Sequence, residues 1–299
     1  MTSYGGRESS RRSTSRYELI VADTPTLPFP AANKLDFRLR ELASDAELQT
    51  TARHMAKTRA VPPIIGEDRH MTELHQQTLV ELAQLAPASG PAGLDGLREV
   101  PVHLVPEIRL HLADDALVLW ARMEAEVGTT LAAPFWASAW LGGQALARFV
   151  LDHPETVVGR RVLDLAAGSG LVAIAASLAG AASVTANDID PYANAAIELN
   201  ARANAVQITV TGHNMLDGDD TDGADVVLAG DIFYSGPMAQ AFLPFLERAS
   251  ARGVAVLVGD PGRVDLPGGR MRIVATYPAA NAGALADAEI EQVHVLRLT

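Results

Sequence analysis

The chain contains no cysteine. That absence excludes disulfides, thiolate metal sites and a cysteine nucleophile, and it fits a reducing compartment. Basic residues are scarce, with 24 Lys and Arg against 36 Asp and Glu, a formal charge of −12 and a pI of about 5.1. Affinity for nucleic acid comes largely from Lys and Arg, so this balance argues against a phosphate-tracking surface and a nucleic-acid partner. No run of 18 apolar residues occurs, so no transmembrane helix and no membrane partner are expected. The N-terminus carries arginines without an apolar core segment, so a secretory signal is not expected either. Together these absences predict an acidic, soluble, cytoplasmic protein.

What is present is an ordinary globular composition, 48% hydrophobic with a mean hydropathy of +0.11, and much of it is Ala. At 299 residues the chain can bury a substantial core in one large domain or two small ones. Residues 1–16 are Ser/Gly/Arg-rich and aperiodic; they resemble an organellar transit peptide in composition but are expected to form a disordered tail. Residues 17–97 are expected to form a mainly helical extension, with a short strand-like run at 17–22. Its helical patterns run over 36–57 and 67–85, split by Pro62-Pro63. His54, His70 and His75 lie there; their spacing does not match ligands on one helix face and no third ligand is evident, so no metal is expected. A Pro/Gly-rich stretch, 87–96, precedes a main domain placed at 98–299.

In that domain a helix is expected over 113–127 and another over 144–152. Between them stands Pro134-Phe-Trp-Ala-Ser-Ala-Trp-Leu-Gly-Gly143, whose Trp136 and Trp140 fit either core packing or an aromatic rim over a ligand. From Gly159 onward strand and helix alternate. Strands are predicted at 161–165, 182–187, 207–211, 225–229 and 254–259, and helices at 171–179, 191–205 and 237–251. Such βαβ units imply an α/β, doubly wound, mostly parallel sheet with helices on both faces. Two further strand-like runs, 272–277 and 289–297, have no crossover helix between them and predict an antiparallel hairpin at the sheet edge.

The segment Val162-Leu-Asp-Leu-Ala-Ala-Gly-Ser-Gly170 reads as a strand end and a Gly-rich turn before a helix. Such a turn presents backbone N–H groups and a helix N-terminus to a ligand. Gly168, Gly170 and Ala173 satisfy G-x-G-x-x-A, a weak signal shared by dinucleotide and S-adenosylmethionine folds. Asp188, about 20 residues on, stands where a carboxylate accepts both ribose hydroxyls, and it serves either cofactor. Two details favour S-adenosylmethionine. Asp164 lies inside the strand end, where negative charge would repel a pyrophosphate but suits an ammonium and a sulfonium, directly or through water. Asn214 follows the third strand, where an amide could read an adenine edge. Asp164 could instead simply cap the turn. The fourth strand runs into Gly230-Asp-Ile-Phe-Tyr234, and chemistry in open α/β sheets happens beyond such carboxyl ends. His213 is expected to pack and not to react.

These residues resemble the class I, seven-β-strand, S-adenosylmethionine-dependent methyltransferases of the lysine-methylating family 16 type. Within that group they are most similar to the electron-transfer-flavoprotein β-subunit lysine methyltransferases and their bacterial relatives. The resemblance is carried by Asp231-Ile-Phe-Tyr234, Pro134-Phe-Trp-Ala, Trp140-Leu-Gly-Gly-Gln-Ala-Leu-Ala-Arg148, Val162-Leu-Asp-Leu, Ala186-Asn-Asp-Ile-Asp-Pro191 and Gly259-Asp-Pro-Gly-Arg263. It spans most of residues 100–265, and residues 1–98 have no counterpart. The resemblance implies a Rossmann-like fold and methylation of lysine ε-amines on a protein with an exposed lysine. It also implies that Trp140, Asp164, Ala166, Gly168, Gly170, Asp188, Ile189, Asn214, Gly230 and Asp231 hold the cofactor. Asp231 and Tyr234 would align the amine, with Trp136, Phe233, Asp260 and Arg263 lining the substrate mouth. Two other readings stay open: a small-molecule amine N-methyltransferase, and a binding module that merely holds the cofactor.

Overall fold

A computed structural model describes residues 96–218, 221–279 and 290–299. The expected tail, strand-like run, helices and histidines before residue 96 lie outside the described residues, as does most of the link between the last two strands.

The described chain opens with strands β1 (Leu97–Pro101) and β2 (Arg109–Ala113), an antiparallel hairpin forming its own two-stranded sheet. The sequence reading has no counterpart for this hairpin, because the runs are short and interrupted by Pro101 and Pro106. Helix α1 (Ala116–Val127) follows. It starts three residues later than the apolar pattern implies because Ala113 still belongs to β2. Asp115 caps it by accepting the N–H groups of Leu117 and Val118. Gly128, at φ +73, ends it with its N–H bonded to the Glu124 carbonyl.

Helix α2 (Leu141–Asp152) takes Gly142 and Gly143 into its first turn, whereas the sequence reading begins the helix after them. The reason is tertiary. A Cβ on Gly142 would stand 2.2 Å from the Gly259 carbonyl oxygen, so these glycines let the helix touch a strand backbone to backbone.

The main sheet then unfolds as β3 (Arg161–Leu165), α3 (Leu171–Leu178), β4 (Ser183–Asn187), α4 (Pro191–Ala203), β5 (Thr209–Thr211), β6 (Val226–Gly230), α5 (Gly236–Ala251), β7 (Ala255–Asp260), β8 (Met271–Pro278) and β9 (Gln292–Leu298). Its seven strands are ordered β5-β4-β3-β6-β7-β9-β8. The first five are parallel, and β9 runs antiparallel to both β7 and β8. The expected edge hairpin is therefore present, with its second strand turned inward against β7.

Alternation along the strands sorts the core onto two faces. Val162, Leu228 and Leu257 pack with Leu146, Val172 and Ile174 on one side. Leu163, Val227 and Val258 pack with Phe242, Phe245 and Leu246 on the other. Each fully buried aliphatic or aromatic side chain contributes about 1.5–3 kcal/mol, which makes this double layer the main source of stability. Successive strands leave β3 in opposite directions, toward β4 on one side and β6 on the other. That switch point opens a crevice at the carboxyl ends of β3 and β6.

Candidate functional site

Residues 166–170 turn the chain from β3 into α3 above that crevice. Ala166 (φ +55), Gly168 (φ +52) and Gly170 (φ +79) all adopt left-handed backbone. For alanine this conformation costs about 1–2 kcal/mol, strain that the surrounding fold must hold. The two glycines serve different ends. A Cβ on Gly170 would press Ile197 at 3.2 Å, so that glycine admits helix α4. Around Gly168 the nearest atom to a Cβ would be the Trp136 Cα at 3.8 Å, and its backbone stays approachable.

Three carboxylates gather beneath the turn. Asp164, buried, accepts the Ala173 N–H at 2.8 Å, and burial lifts its pKa to about 8 against that bond, with the Asp188 charge adding to the rise. Asp188 accepts the Gly168 N–H at 2.9 Å on Oδ2 and the Asp190 N–H at 3.0 Å on Oδ1. Loss of water around it raises its pKa despite those bonds. Asp190 caps α4 through the Tyr192 N–H; burial first, then the Asp188 charge, raise it to about 6. Asp164 thus braces the first turn of the helix from beneath the loop. Ile189 beside them is exposed.

This donor set fits S-adenosylmethionine. A pyrophosphate would meet clustered negative charge, whereas an ammonium and a sulfonium would relieve the penalty of ionising the carboxylates. Asp188 keeps its oxygens at the strand end, where a ribose diol can donate to them.

Across the crevice, Asp231 follows β6 with φ +56, a second non-glycine residue in left-handed conformation at a strand end. Its Oδ2 accepts the Gly143 N–H at 2.8 Å and its Oδ1 the Arg263 Nη2 at 2.9 Å. A residue 88 positions away thus caps α2, a contact that no local pattern announces. Tyr234 is 38% exposed, and its pKa is raised by burial and by the charge of Asp188. Phe135, 53% exposed, bridges Tyr234 and Trp140 at ring-centroid distances of 5.7 and 5.9 Å. The Trp140 Nε1 donates to the Phe135 carbonyl at 2.8 Å. These three rings make an aromatic lip near the carboxylate cluster.

Several expected site residues stand elsewhere. Trp136 is 2% exposed and stacks on Tyr192 in a small core with Leu97, Leu119 and Met123, so it packs and does not line a mouth. Phe233 is fully buried beside Phe245, because the turn after β6 points it into the core. Gly230 is glycine because a Cβ would lie 2.8 Å from the Gly143 Cα, a demand set by packing against helix α2. Asp260 is fully buried and holds its own turn through the Gly262 and Arg263 N–H groups. Asn214 is exposed, with both ends of its amide engaged locally, by Asp217 and by the Leu216 N–H. His213, expected to pack, is exposed.

The sequence reading missed residues that brace the turn. Asn187 donates to the Thr211 and His213 carbonyls, tying the ends of β4 and β5 together. Asn200, buried on α4, donates to the Ser169 carbonyl at 2.9 Å and accepts the His111 N–H at 2.7 Å. It thereby joins the Gly-rich turn to β2. Its signal is visible afterwards: an amide in phase with Ala193, Ala196 and Ile197 on a buried helix face. Among the described residues there is no cluster of His, Asp or Glu able to hold a metal ion, and no helix long and apolar enough to cross a membrane.

The family described as "Ribosomal protein L11 methyltransferase (PrmA)" matches residues 145–236. The crystal structure of ribosomal protein L11 methylase from Lactobacillus delbrueckii subsp. bulgaricus aligns with a TM-score of 0.38 and 23% identity, over 52% of this chain and 77% of that one. The electron transfer flavoprotein beta subunit lysine methyltransferase of Danio rerio is 43% identical over 162 residues, 54% of this chain and 62% of that protein. The chain thus spans somewhat less than two thirds of that relative's length. The Caenorhabditis elegans homolog is 38% identical over 175 residues, 54% of this chain and 71% of that protein. The chain belongs to the electron transfer flavoprotein beta subunit lysine methyltransferase family.

Proposed function

We propose that the protein is an S-adenosylmethionine-dependent N-methyltransferase acting on lysine ε-amines of a protein, with the electron-transfer-flavoprotein β-subunit as first candidate. The observation that carries this reading is the meeting, at one switch-point crevice, of the Asp164–Asp188 pair under an open Gly168 turn with Asp231 and Tyr234 across from it. The relatives' names supply the acceptor class. The acidic charge supports a protein over a nucleic acid as partner, and the absence of cysteine supports a cytoplasmic setting.

Asp164 and Asp188 would hold the cofactor's cationic and hydroxyl groups, with Ile189 and Trp140 against its apolar surface. When bound, S-adenosylmethionine supplies a methyl group activated by a sulfonium. The chain's own residues then have two tasks. A lysine, with a pKa of about 10.4 in water, must enter without its extra proton, and its lone pair must point at the methyl carbon. Partial closure by Phe135 and Tyr234 strips water from the amine, which favours the neutral form. Asp231 and nearby backbone carbonyls orient the remaining N–H bonds, so a strong general base is not required.

Incubation of purified β-subunit with enzyme and cofactor, followed by intact-mass analysis, tests the reading. Mass increments of whole methyl groups on lysine support it. Label from tritiated cofactor appearing in lysate only on molecules below protein size would favour a small-molecule amine acceptor instead. Tight cofactor binding with no transfer to any acceptor would favour a binding module.

A further inference from the structure

One contact in the site joins two of its charged residues across a turn. Arg263 reaches back across 32 residues to set its Nη2 2.9 Å from Asp231 Oδ1. Its turn is fastened by Asp260, whose Oδ1 takes the N–H groups of Gly262 at 2.7 Å and Arg263 at 2.8 Å, with Gly262 at φ +85. Asp260 is fully buried, and its Oδ2 has no hydrogen-bond partner. Burial pushes the Asp260 carboxyl up, while its two backbone bonds and the charges of Arg263 and His294 pull it down. The second Asp231 oxygen meets the Gly143 N–H in the first turn of α2. Asp231 therefore faces a guanidinium on one side and the positive end of a helix on the other.

That arrangement bears on the protonation of an acceptor. A lysine ammonium beside an uncompensated carboxylate is stabilised as a cation, and its pKa rises by about 1–3 units. Each unit removes roughly tenfold of the neutral amine at fixed pH. A carboxylate already matched by a guanidinium exerts little of that pull, yet it can still accept an N–H bond.

We propose that Arg263 is a positioning residue that neutralises Asp231, so that the acceptor site receives lysine as the neutral amine. This rests on the lysine-methyltransferase reading. The groups that set the local charge are Asp231 after β6, Asp260 at the end of β7 with Arg263 in the turn beyond it, and His294 on β9. Asp188 at the end of β4 and Tyr234 face the same crevice. The proton lost on entry goes to solvent, and the lone pair it frees forms the new N–C bond. The electron pair of the broken S–C bond stays on sulfur.

The test uses the full chain with electron-transfer-flavoprotein β-subunit as acceptor. The pH dependence of kcat at saturating acceptor, which reports the groups of the bound complex, is compared for wild type, Arg263→Met and Arg263→Lys, after titration with S-adenosylmethionine has shown each variant folded. The wild-type acid limb is expected below the free-lysine value of about 10.4. Arg263→Met moves it up by about one unit or more, and Arg263→Lys leaves it near wild type. A second readout needs no turnover. With S-adenosylhomocysteine bound, calorimetry in two buffers of different ionisation enthalpy is expected to show wild type releasing about one proton per acceptor bound near pH 8, and Arg263→Met releasing fewer. Coincident acid limbs and equal proton release in wild type and Arg263→Met overturn the inference. So does a wild-type acid limb at or above the free-lysine value, even if neither variant folds. A wild type that methylates nothing removes the underlying reading and this inference with it.

Discussion

The two ends of the parallel sheet treat charge in opposite ways. At the amino ends, Asp225 is gripped by Arg161 through Nη2 at 2.9 Å, Nε at 3.2 Å and the backbone N–H at 3.0 Å, all in the open. Those bonds hold the Asp225 carboxyl down at about 2. The left-handed positions there are mostly glycines, Gly159, Gly180, Gly223 and Gly253, joined by Ala205 and Asp222. At the carboxyl ends, Asp164, Asp188 and Asp190 are pushed up, and Ala166 and Asp231 sit in the same left-handed region without being glycine. The amino end satisfies its groups in the unliganded molecule. The carboxyl end leaves its carboxylates costly to ionise, a penalty that a cation placed beside them would relieve.

The sharpest way to break this contrast is at the glycine seam under the site. Gly259→Ala would put a Cβ 1.9 Å from the Gly142 carbonyl oxygen, a clash of backbone with backbone. A loss of about 3 kcal/mol or more is expected in denaturant unfolding, with α2 displaced from β7. Next comes Asp231→Ala, expected to lower kcat by about 10²-fold or more while cofactor affinity by calorimetry changes little. Equal losses of rate and of cofactor binding would show Asp231 to be a cofactor ligand first.

Asp164 offers a pH handle. Its folded pKa of about 8 lies above the unfolded value, so the native state holds the proton that the unfolded chain releases. Its contribution to stability is therefore fully present below about pH 4 and lost as pH rises toward 8. Asp164→Asn should flatten that decline in thermal melts. It should also abolish the tightening of S-adenosylmethionine binding expected between pH 6 and 8. Ala166→Gly should relieve strain and raise stability by about 1 kcal/mol without raising kcat. Smallest of all is Asp225→Asn at the amino end. Its depressed pKa stabilises the fold above the unfolded value and is lost as pH falls from about 4 toward 2. Only the acid flank of the stability curve should move, and methyl transfer should not.

The layers of the fold were legible because short apolar runs, buried on both faces, such as Val162–Leu165 and Val226–Ala229, alternate with helices of ordinary length. Asp164 and Asp188 were legible as neighbours beneath the Gly-rich turn because their spacing across one βαβ unit is set by local geometry. The mouth was not. Trp136 and Phe233 read as aromatics beside a site, yet which way each ring points depends on the 3₁₀ turn at Phe135–Ala137 and on the left-handed Asp231. The neighbour that does face solvent, Phe135, has the same residue chemistry and nothing in its local pattern to separate it. Asp260 and Gly230 were placed by their strand ends, but their roles come from contacts with residues far along the chain. Long-range caps and backbone contacts have no periodicity to read.

The contact between Gly142 and Gly259 has a consequence for redesign. It divides the neighbourhood of Asp231 into a part that can be rewritten and a part that cannot. Phe135 and Tyr234 hang their rings outside the seam, so their size and polarity can be exchanged to admit other amines while the backbone stays in place. Asp231 and the start of α2 are locked to the strands by atoms with no room to yield. Any new specificity grafted onto this scaffold must be written in the lip and leave the glycine seam untouched.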